Sequence, residues 1–173
     1  MNPQIKSIES IYEGVTVDDQ NSQMASLVFN WKLRLSQHQY YPVRMKVSIE
    51  KGSALSDWSF ETDLPEGWKV AELDFPRLSV VRSKDAKMIM PEGWGVEYPM
   101  VEYASYESQY PSHSGCMQMM CLQEGKDVLY FATHDTTASI KTFRAKSQWE
   151  SAFLTSEVVA SEAWTPDEGG TFR

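Results

Sequence analysis

Cysteine and histidine are scarce in this chain, whose 173 residues include two cysteines and three histidines. Two cysteines are too few for a disulfide framework, and Cys116 and Cys121 have no zinc-ligand partners at a useful spacing. If both lie on one strand, their odd offset points their side chains to opposite faces, so they do not pair with each other. We interpret them as small side chains packed in or near a core, and we predict no metal site.

Long apolar runs and clusters of basic residues are also missing. No run approaches the roughly 18 residues that span a bilayer, so no membrane span is predicted. The start, MNPQIKSIESIYEG, lacks the apolar segment of a secretory signal, and we expect a soluble chain that is extracytoplasmic only if its parent protein carries a signal peptide. The net charge of −8 and the lack of any Lys or Arg run argue against a nucleic-acid partner.

The sequence contains none of the short motifs that mark common enzymes. It has no Gly-rich phosphate loop, no Walker motif, no His-Glu-x-x-His pair and no nucleophile elbow. No cofactor is therefore predicted, and no residue can be assigned a catalytic role.

What the sequence does have is apolar periodicity of two. Residues 26–36 and 43–50 both alternate apolar and polar side chains, which is typical of half-buried strands. Further short apolar runs follow at roughly 8–12-residue spacing, which predicts an all-β, antiparallel sandwich or barrel over a single domain of residues 1–173. The segments near the start (NPQIKSIESIY) and the end (SQWESAFLTSEVV) fit a helix or a strand equally well. The expected core includes Leu27, Phe29, Trp31, Leu33, Val43, Met45, Val47, Leu129 and Phe131.

One segment combines polar residues with a predicted hairpin. YPSHSGCMQMMCLQEGKDVLYFATHD, residues 110–135, contains two apolar runs joined by EGKD, a common hairpin length with glycine inside it. An antiparallel hairpin brings His113 and His134, with Asp135, to the same end. Paired histidines beside a carboxylate can perform acid–base chemistry on a sugar ring, but solvated or turn-capping side chains explain the pattern too.

An aromatic-rich segment precedes this hairpin. Residues 94–111 contain Trp94, Tyr98, Tyr103 and Tyr110 among polar side chains. Aromatic faces flanked by hydrogen-bonding groups suit sugar rings, although a long surface loop anchored by aromatics is an equal explanation. The tetrapeptide PEGW at its start, which also occurs at residues 65–68, predicts a turn. We predict Trp94, Tyr98, Tyr103, Tyr110, His113, His134 and Asp135 as carbohydrate-binding residues.

The order of four short motifs resembles a known family. VAELDFPRLSVV, MIMPEGWGVEYP, YPSHSGCMQMMCLQEGKDVLYFATHD and IKTFRA follow one another as in the N-terminal β-supersandwich domain of bacterial glycoside-hydrolase-like proteins, where this domain precedes a (β/α)₈ catalytic barrel. The resemblance covers about residues 70–145. It implies a galactose-mutarotase-like sandwich that is part of a larger glycosidase, with the barrel as partner domain.

Two classes of function follow from these observations. The first is a non-catalytic sandwich domain that packs on a catalytic barrel and shapes its sugar site, because a barrel takes about 250 residues and the catalytic carboxylates would lie on it. The second is a stand-alone sugar-active enzyme of mutarotase or lyase type, which would use histidine with a carboxylate or tyrosine. A plain carbohydrate-binding module is a further alternative.

Overall fold

The computed structural model describes residues 9–21, 23–36, 39–63, 70–112, 115–134, 136 and 139–164. Within these ranges the chain forms strands and turns, and no helix. Where they are described, the first segment that could have been helical is strand, and the second consists of strand on both sides of a turn at residues 149–150. The strands are β1 Glu9–Asn21, β2 Met24–Ser36, β3 Gln39–Glu50, β4 Ser56–Thr62, β5 Val70–Val81, β6 Lys87–Met90, β7 Val96–Pro99, β8 Ser105–Tyr110, β9 Met119–Glu124, β10 Asp127–Ala132, β11 Ile140–Gln148 and β12 Ser151–Trp164.

The chain divides into two compact units, of which unit 1 contains residues 1–69 and 164–173 and unit 2 contains residues 70–163. Unit 1 holds one antiparallel sheet in the order β1-β2-β3-β4, in which each strand pairs with the next along the chain. The alternation noted for residues 26–36 and 43–50 produces the β2–β3 pair, in which Phe29 is opposite Met45. A bulge follows Tyr12, and Gly14 has a φ of 127° that glycine adopts most readily.

The two faces of the β1–β4 sheet differ in chemistry. Paired residues share a face, so the register places apolar side chains from all four strands on one side, which we call the apolar face: Tyr12, Val15, Val17, Leu27, Phe29, Trp31, Leu33, Tyr41, Val43, Met45, Val47, Ile49, Trp58 and Phe60. The opposite side, the charged face, has ion pairs between strands. Lys32 with Glu13 and Arg44 with Glu61 join neighbouring strands, and Lys46 of β3 reaches across β2 to Asp18 of β1.

Unit 2 is a β-sandwich of two antiparallel sheets, in the orders β10-β9-β6-β7 and β5-β12-β11-β8. Buried side chains from both sheets form one core: Ala86, Met88, Met90, Met100, Met120, Leu122, Phe131, Phe143, Ala145, Ala152 and Leu154. Phe131 and Phe143 meet edge to face across the sandwich, with ring centroids 6.4 Å apart. The prediction of an all-β antiparallel sandwich is confirmed.

The predicted hairpin in residues 110–135 is also present, with a tighter turn than expected. Asp127 pairs with Glu124, so the loop is the two residues Gly125 and Lys126. Gly125 has a φ of 60° at the first loop position, as a type II′ turn requires. Cys116 lies before β9 and only Cys121 lies on it, so the two do not share a strand and the argument from their odd offset does not apply.

The predicted core is correct in part. Phe131 and Val43 are buried, whereas Phe29, Trp31, Leu33, Met45, Val47 and Leu129 are half-buried. Leu27 is 42% exposed, so its assignment to the core is wrong. The reason is that alternation groups side chains on one face of a sheet, and the apolar face of the β1–β4 sheet is covered only in part.

Candidate functional site

Trp94 lies in a tight turn between β6 and β7. Pro91 is buried, Glu92 forms a β-bridge with Gly115, and the Gly95 amide donates to the Glu92 carbonyl at 2.8 Å. Gly93 and Gly95 have φ values of 54° and 92°, a backbone conformation that glycine accepts without steric cost. The turn expected from PEGW at residues 91–94 is therefore formed, and its tryptophan is fully exposed. The copy at residues 65–68 lies outside the described residues.

The segment before β9 joins this turn to the end of β10. The Cys116 amide donates to the Pro91 carbonyl at 2.8 Å. Gln118 then receives two hydrogen bonds from Thr133, one from its amide to the Gln118 carbonyl at 2.9 Å and one from its hydroxyl to Gln118 Oε1 at 3.1 Å. His134 follows directly and is exposed, so it lies at the same end of the sandwich as the Trp94 turn. We call this the Pro91 end.

Tyr110 ends β8 at the Pro91 end. Gly115 lies so close to the β8 backbone that a Cβ there would overlap the Gln109 carbonyl oxygen, which explains why glycine is required. The Tyr110 ring lies under the ammonium of Lys141, whose Nζ is 5.9 Å from the ring centroid. Lys141 is fully buried, and its Nζ donates to the Ser139 carbonyl at 2.8 Å. This lysine fixes the ring through a cation–π contact in a site of low solvent access.

Tyr98 does not project to solvent, because both its ring and its hydroxyl have partners within unit 2. Its ring stacks on Tyr106 with centroids 4.6 Å apart, which joins β7 and β8, the edge strands of the two sheets. The Tyr98 hydroxyl donates to Glu92 Oε2 at 2.7 Å, and the Tyr106 hydroxyl donates to the Pro99 carbonyl at 2.6 Å. The hydrogen bond to Glu92, aided by partial desolvation and the negative charge of Glu92, raises the pKa of the Tyr98 phenol.

The predicted site residues are thus separated. Trp94, Tyr110 and His134 lie at the Pro91 end, and Tyr98 braces the Trp94 turn through Glu92. Tyr103 lies in the turn between β7 and β8, at the opposite end of the sandwich. Residues 94–111 do not form one loop, because β7 runs to that end in one sheet and β8 returns in the other. His113 and Asp135 lie outside the described residues. Their predicted contacts with sugar, like those of the other residues, stay predictions.

Sequence reasoning missed Lys141 and Glu92. A lysine within an alternating strand is normally assigned to the solvent side, and no signal in IKTFRA marks Lys141 as buried. Glu92 could have been found through PEGW, because a residue at the start of a tight turn is placed close to the strand that follows the turn.

The chemistry available at the Pro91 end is that of binding. An exposed indole, a fixed phenol ring and an imidazole suit the apolar faces and hydroxyls of a sugar. Among the described residues, no three His, Cys, Asp or Glu side chains are grouped as metal ligands. Burial raises the pKa of the Cys121 thiol, so this cysteine is held in its poorly nucleophilic protonated form. The part of the chain that is described has no helix long and apolar enough to cross a membrane.

Comparison with known proteins finds one informative similarity. The chain is 36% identical over 168 residues to a protein of Bacteroides thetaiotaomicron named "Putative glycoside hydrolase". The alignment covers 96% of this chain and 25% of that protein, so the chain spans about a quarter of the length of the curated relative it matches. No protein-family model matches the chain, and no solved structure matches it. The chain is therefore similar to one part of a larger glycoside-hydrolase-like protein.

Proposed function

We propose that this chain is a non-catalytic β-domain of a larger glycoside hydrolase, which packs on a catalytic (β/α)₈ barrel and shapes its sugar site. The observation that supports the proposal most is the apolar face of the β1–β4 sheet. Val17 is 66% exposed and Leu27 42% exposed, and the aromatic pair Phe29 and Trp31 beside them is only half-buried. Sheets normally bury their apolar side against another layer. Three quarters of the relative lies outside the alignment, and that part of its chain is long enough to supply such a layer.

The charged face supports the same orientation. Lys32, Arg44 and Lys46 on this face are paired with carboxylates of other strands, as for Lys46 with Asp18 at 3.2 Å, so this side is suited to water. Contiguous apolar surface on one side only is typical of an interaction site. The apolar face is therefore the side on which the catalytic portion docks.

Docking can be tested with neighbouring residues on the edge strand β1. Val17 belongs to the apolar face and the exposed Thr16 to the charged face, so Val17→Arg and Thr16→Arg place the same charge on opposite sides. The chain and the catalytic portion encoded in the same reading frame are produced as separate polypeptides, and their association is measured by calorimetry. We expect Val17→Arg to weaken association at least about tenfold, since it places a charge in an apolar contact, and Thr16→Arg to leave it unchanged.

Two results would contradict this proposal. One is a reading frame without any further domain, and the other is equal association of the Val17→Arg and Thr16→Arg variants. Either result would leave the stand-alone mutarotase or lyase, or a carbohydrate-binding module, as the better explanation.

The proposal also states what the isolated chain does not do. The catalytic carboxylate pair is expected on the barrel, so the chain alone should hydrolyse no glycoside. A panel of aryl glycosides tests this expectation. Turnover that a single substitution in this chain removes would contradict it.

Sugar contact at the Pro91 end is the second part of the proposal. Trp94 is the most exposed aromatic side chain there, so its fluorescence should change when mono- or oligosaccharide is added at millimolar concentration. The change should disappear in Trp94→Ala. If the histidine NMR signals also respond and His134→Ala removes that response, His134 belongs to the sugar contact. If none of these signals moves, the Pro91 end contacts only the partner domain.

A further inference from the structure

Two large aromatic side chains are exposed at the end of the sandwich opposite the Pro91 end. Tyr103 lies in the turn between β7 and β8 and is 64% exposed. Trp149 lies in the turn between β11 and β12 and is 68% exposed. We call this the Trp149 end, and define it by the two turns at residues 101–104 and 149–150.

Hydrogen bonds place the two turns side by side. The Ser147 amide donates to the Ala104 carbonyl at 2.9 Å, and the Ala104 amide donates to Ser147 Oγ at 3.0 Å. Tyr103 directly precedes Ala104 in the chain, and Trp149 lies two residues after Ser147. The two turns that carry the aromatics are therefore adjacent at this end of unit 2.

The backbone at both residues is strained. Tyr103 has a φ of 61° and Trp149 a φ of 51°, and within the described part of the chain these are the non-glycine residues with positive φ. L-residues with bulky side chains rarely adopt this conformation, because the Cβ approaches the following carbonyl oxygen. Glycine or asparagine would serve the two turns at lower conformational cost.

Among the described residues, the Tyr103 and Trp149 side chains gain no hydrogen bond and no ring contact in return for this strain. Strained residues persist where the surrounding structure fixes them, and they are concentrated at ligand sites. The identities of these two side chains thus point to something outside the described chain.

Hydrogen bonds from Ser147 and Arg82 hold the two turns that carry the Tyr103 and Trp149 rings. The Ser147 hydroxyl donates to the Val101 carbonyl, which closes the Tyr103 turn. Arg82 is buried, its Nη2 donates to the Trp149 carbonyl at 2.6 Å, and its amide donates to the Glu150 carbonyl at 2.8 Å. A surface held in this way binds a ligand with little loss of backbone entropy.

The neighbours of the two rings indicate the chemistry of the ligand. Glu102, Gln148 and Glu150 are exposed beside them and offer hydrogen-bond acceptors. Carboxylates accept hydrogen bonds from hydroxyl groups and repel anions, so uronic or sulfated glycans and nucleic acids are disfavoured. Aromatic rings pack against the C–H faces of sugars, and the acceptors beside them bind sugar hydroxyls. Together these groups are suited to a neutral polysaccharide.

We infer that the Trp149 end is a second carbohydrate-binding surface, in which Tyr103 and Trp149 form a platform for a neutral polysaccharide chain. This surface is separate from the Pro91 end and does not depend on the proposed docking of the apolar face. It would hold the protein on its polymer, whereas the Pro91 end would contribute to the site of cleavage.

The test is affinity electrophoresis of the full 173-residue chain in gels that contain xyloglucan, galactomannan, mixed-linkage β-glucan or amylopectin. The main variant is Tyr103→Gly with Trp149→Gly, because glycine accepts the positive φ at both turns and preserves the backbone. Tyr103→Asn with Trp149→Asn is a second version, since asparagine also tolerates this conformation. Tyr130→Ala is the matched control, because it removes an exposed aromatic side chain from β10, away from the platform.

We expect at least one polysaccharide to retard the wild-type chain and the Tyr130→Ala variant equally. Both double variants should bind at least about tenfold more weakly, since each ring contributes a stacking contact. Trp94→Ala should keep the retardation, which distinguishes this surface from the Pro91 end. The inference is overturned if no gel retards the wild-type chain, if the double variants are retarded as the wild type is, or if Trp94→Ala alone removes binding.

Discussion

Two leucines in different environments provide a direct test of where the stabilising core lies. Leu154 in β12 is 1% exposed and belongs to the core cluster of unit 2. Leu27 in β2 lies on the apolar face of unit 1 and is 42% exposed. The substitutions Leu154→Ala and Leu27→Ala remove the same atoms, so the difference between them reports the surroundings and not the chemistry of the side chain.

The expected magnitudes differ, and the loss at Leu154 is the larger. Leu154→Ala removes contacts and leaves a cavity between the sheets, which lowers the free energy of unfolding by about 2–5 kcal/mol. Full burial of a leucine is worth about 1.5–3 kcal/mol, and Leu27, little more than half buried, retains about 1–1.5 kcal/mol of this with no closed cavity to add.

Urea denaturation followed by circular dichroism measures both variants against the wild type. The slope of the free energy with urea should be unchanged, so that a shift in midpoint reports stability alone. If Leu27→Ala costs as much as Leu154→Ala, the apolar face is covered in the isolated chain, and its role as a docking surface for another domain would be refuted.

Three further outcomes are expected at residues that support the Pro91 end or lie in the core beside it. Tyr98→Phe should destabilise the protein at neutral pH, because it removes the bond to Glu92. The folded-state pKa of Tyr98 is raised, so this contribution is complete below the ordinary pKa of about 10 and is lost as the pH rises through the folded-state pKa; wild-type and variant urea midpoints should converge there. Cys116 should react with a thiol reagent in the native state and Cys121 only after unfolding, as followed by absorbance, since Cys121 is buried. Gly115→Ala should lower the melting temperature, because its Cβ would overlap a backbone carbonyl oxygen.

The strands could be predicted from the sequence more securely than the location of the core. The alternation in residues 26–36 correctly predicts β2 and the set of side chains that share its apolar face. Alternation does not show whether another layer covers that face. The fully buried side chains are concentrated in β6, β9, β11 and β12. In β11, Lys141, Thr142 and Phe143 are buried in succession, so the period of two is lost.

The candidate site was predictable where turn chemistry is explicit. The glycines around Trp94 take positive φ, as the PEGW motif and the following Gly95 indicate, whereas the full exposure of the indole does not follow from the motif. The position of Tyr103 was not predictable in the same way. The turn at residues 101–104 contains no glycine or proline, and a tyrosine takes the positive φ that such a turn requires. A motif search therefore finds an aromatic-rich loop where the chain forms two strands.

The backbone strain at Tyr103 in the turn at residues 101–104 can be measured as a change in stability. This gives the last prediction. Tyr103→Gly relieves about 1–2 kcal/mol of left-handed strain and adds about 0.5–1 kcal/mol of chain entropy in the unfolded state, so stability should rise by up to about 1.5 kcal/mol. Tyr106→Gly, three residues along, is the matched control, because Tyr106 is half-buried, stacks on Tyr98 and donates to the Pro99 carbonyl at 2.6 Å. We expect it to lower the free energy of unfolding by about 2 kcal/mol or more. Urea midpoints compare the two variants. A loss of stability in Tyr103→Gly would mean that the tyrosine side chain contributes to folding, and the case for an outside ligand at the Trp149 end would lose its physical basis.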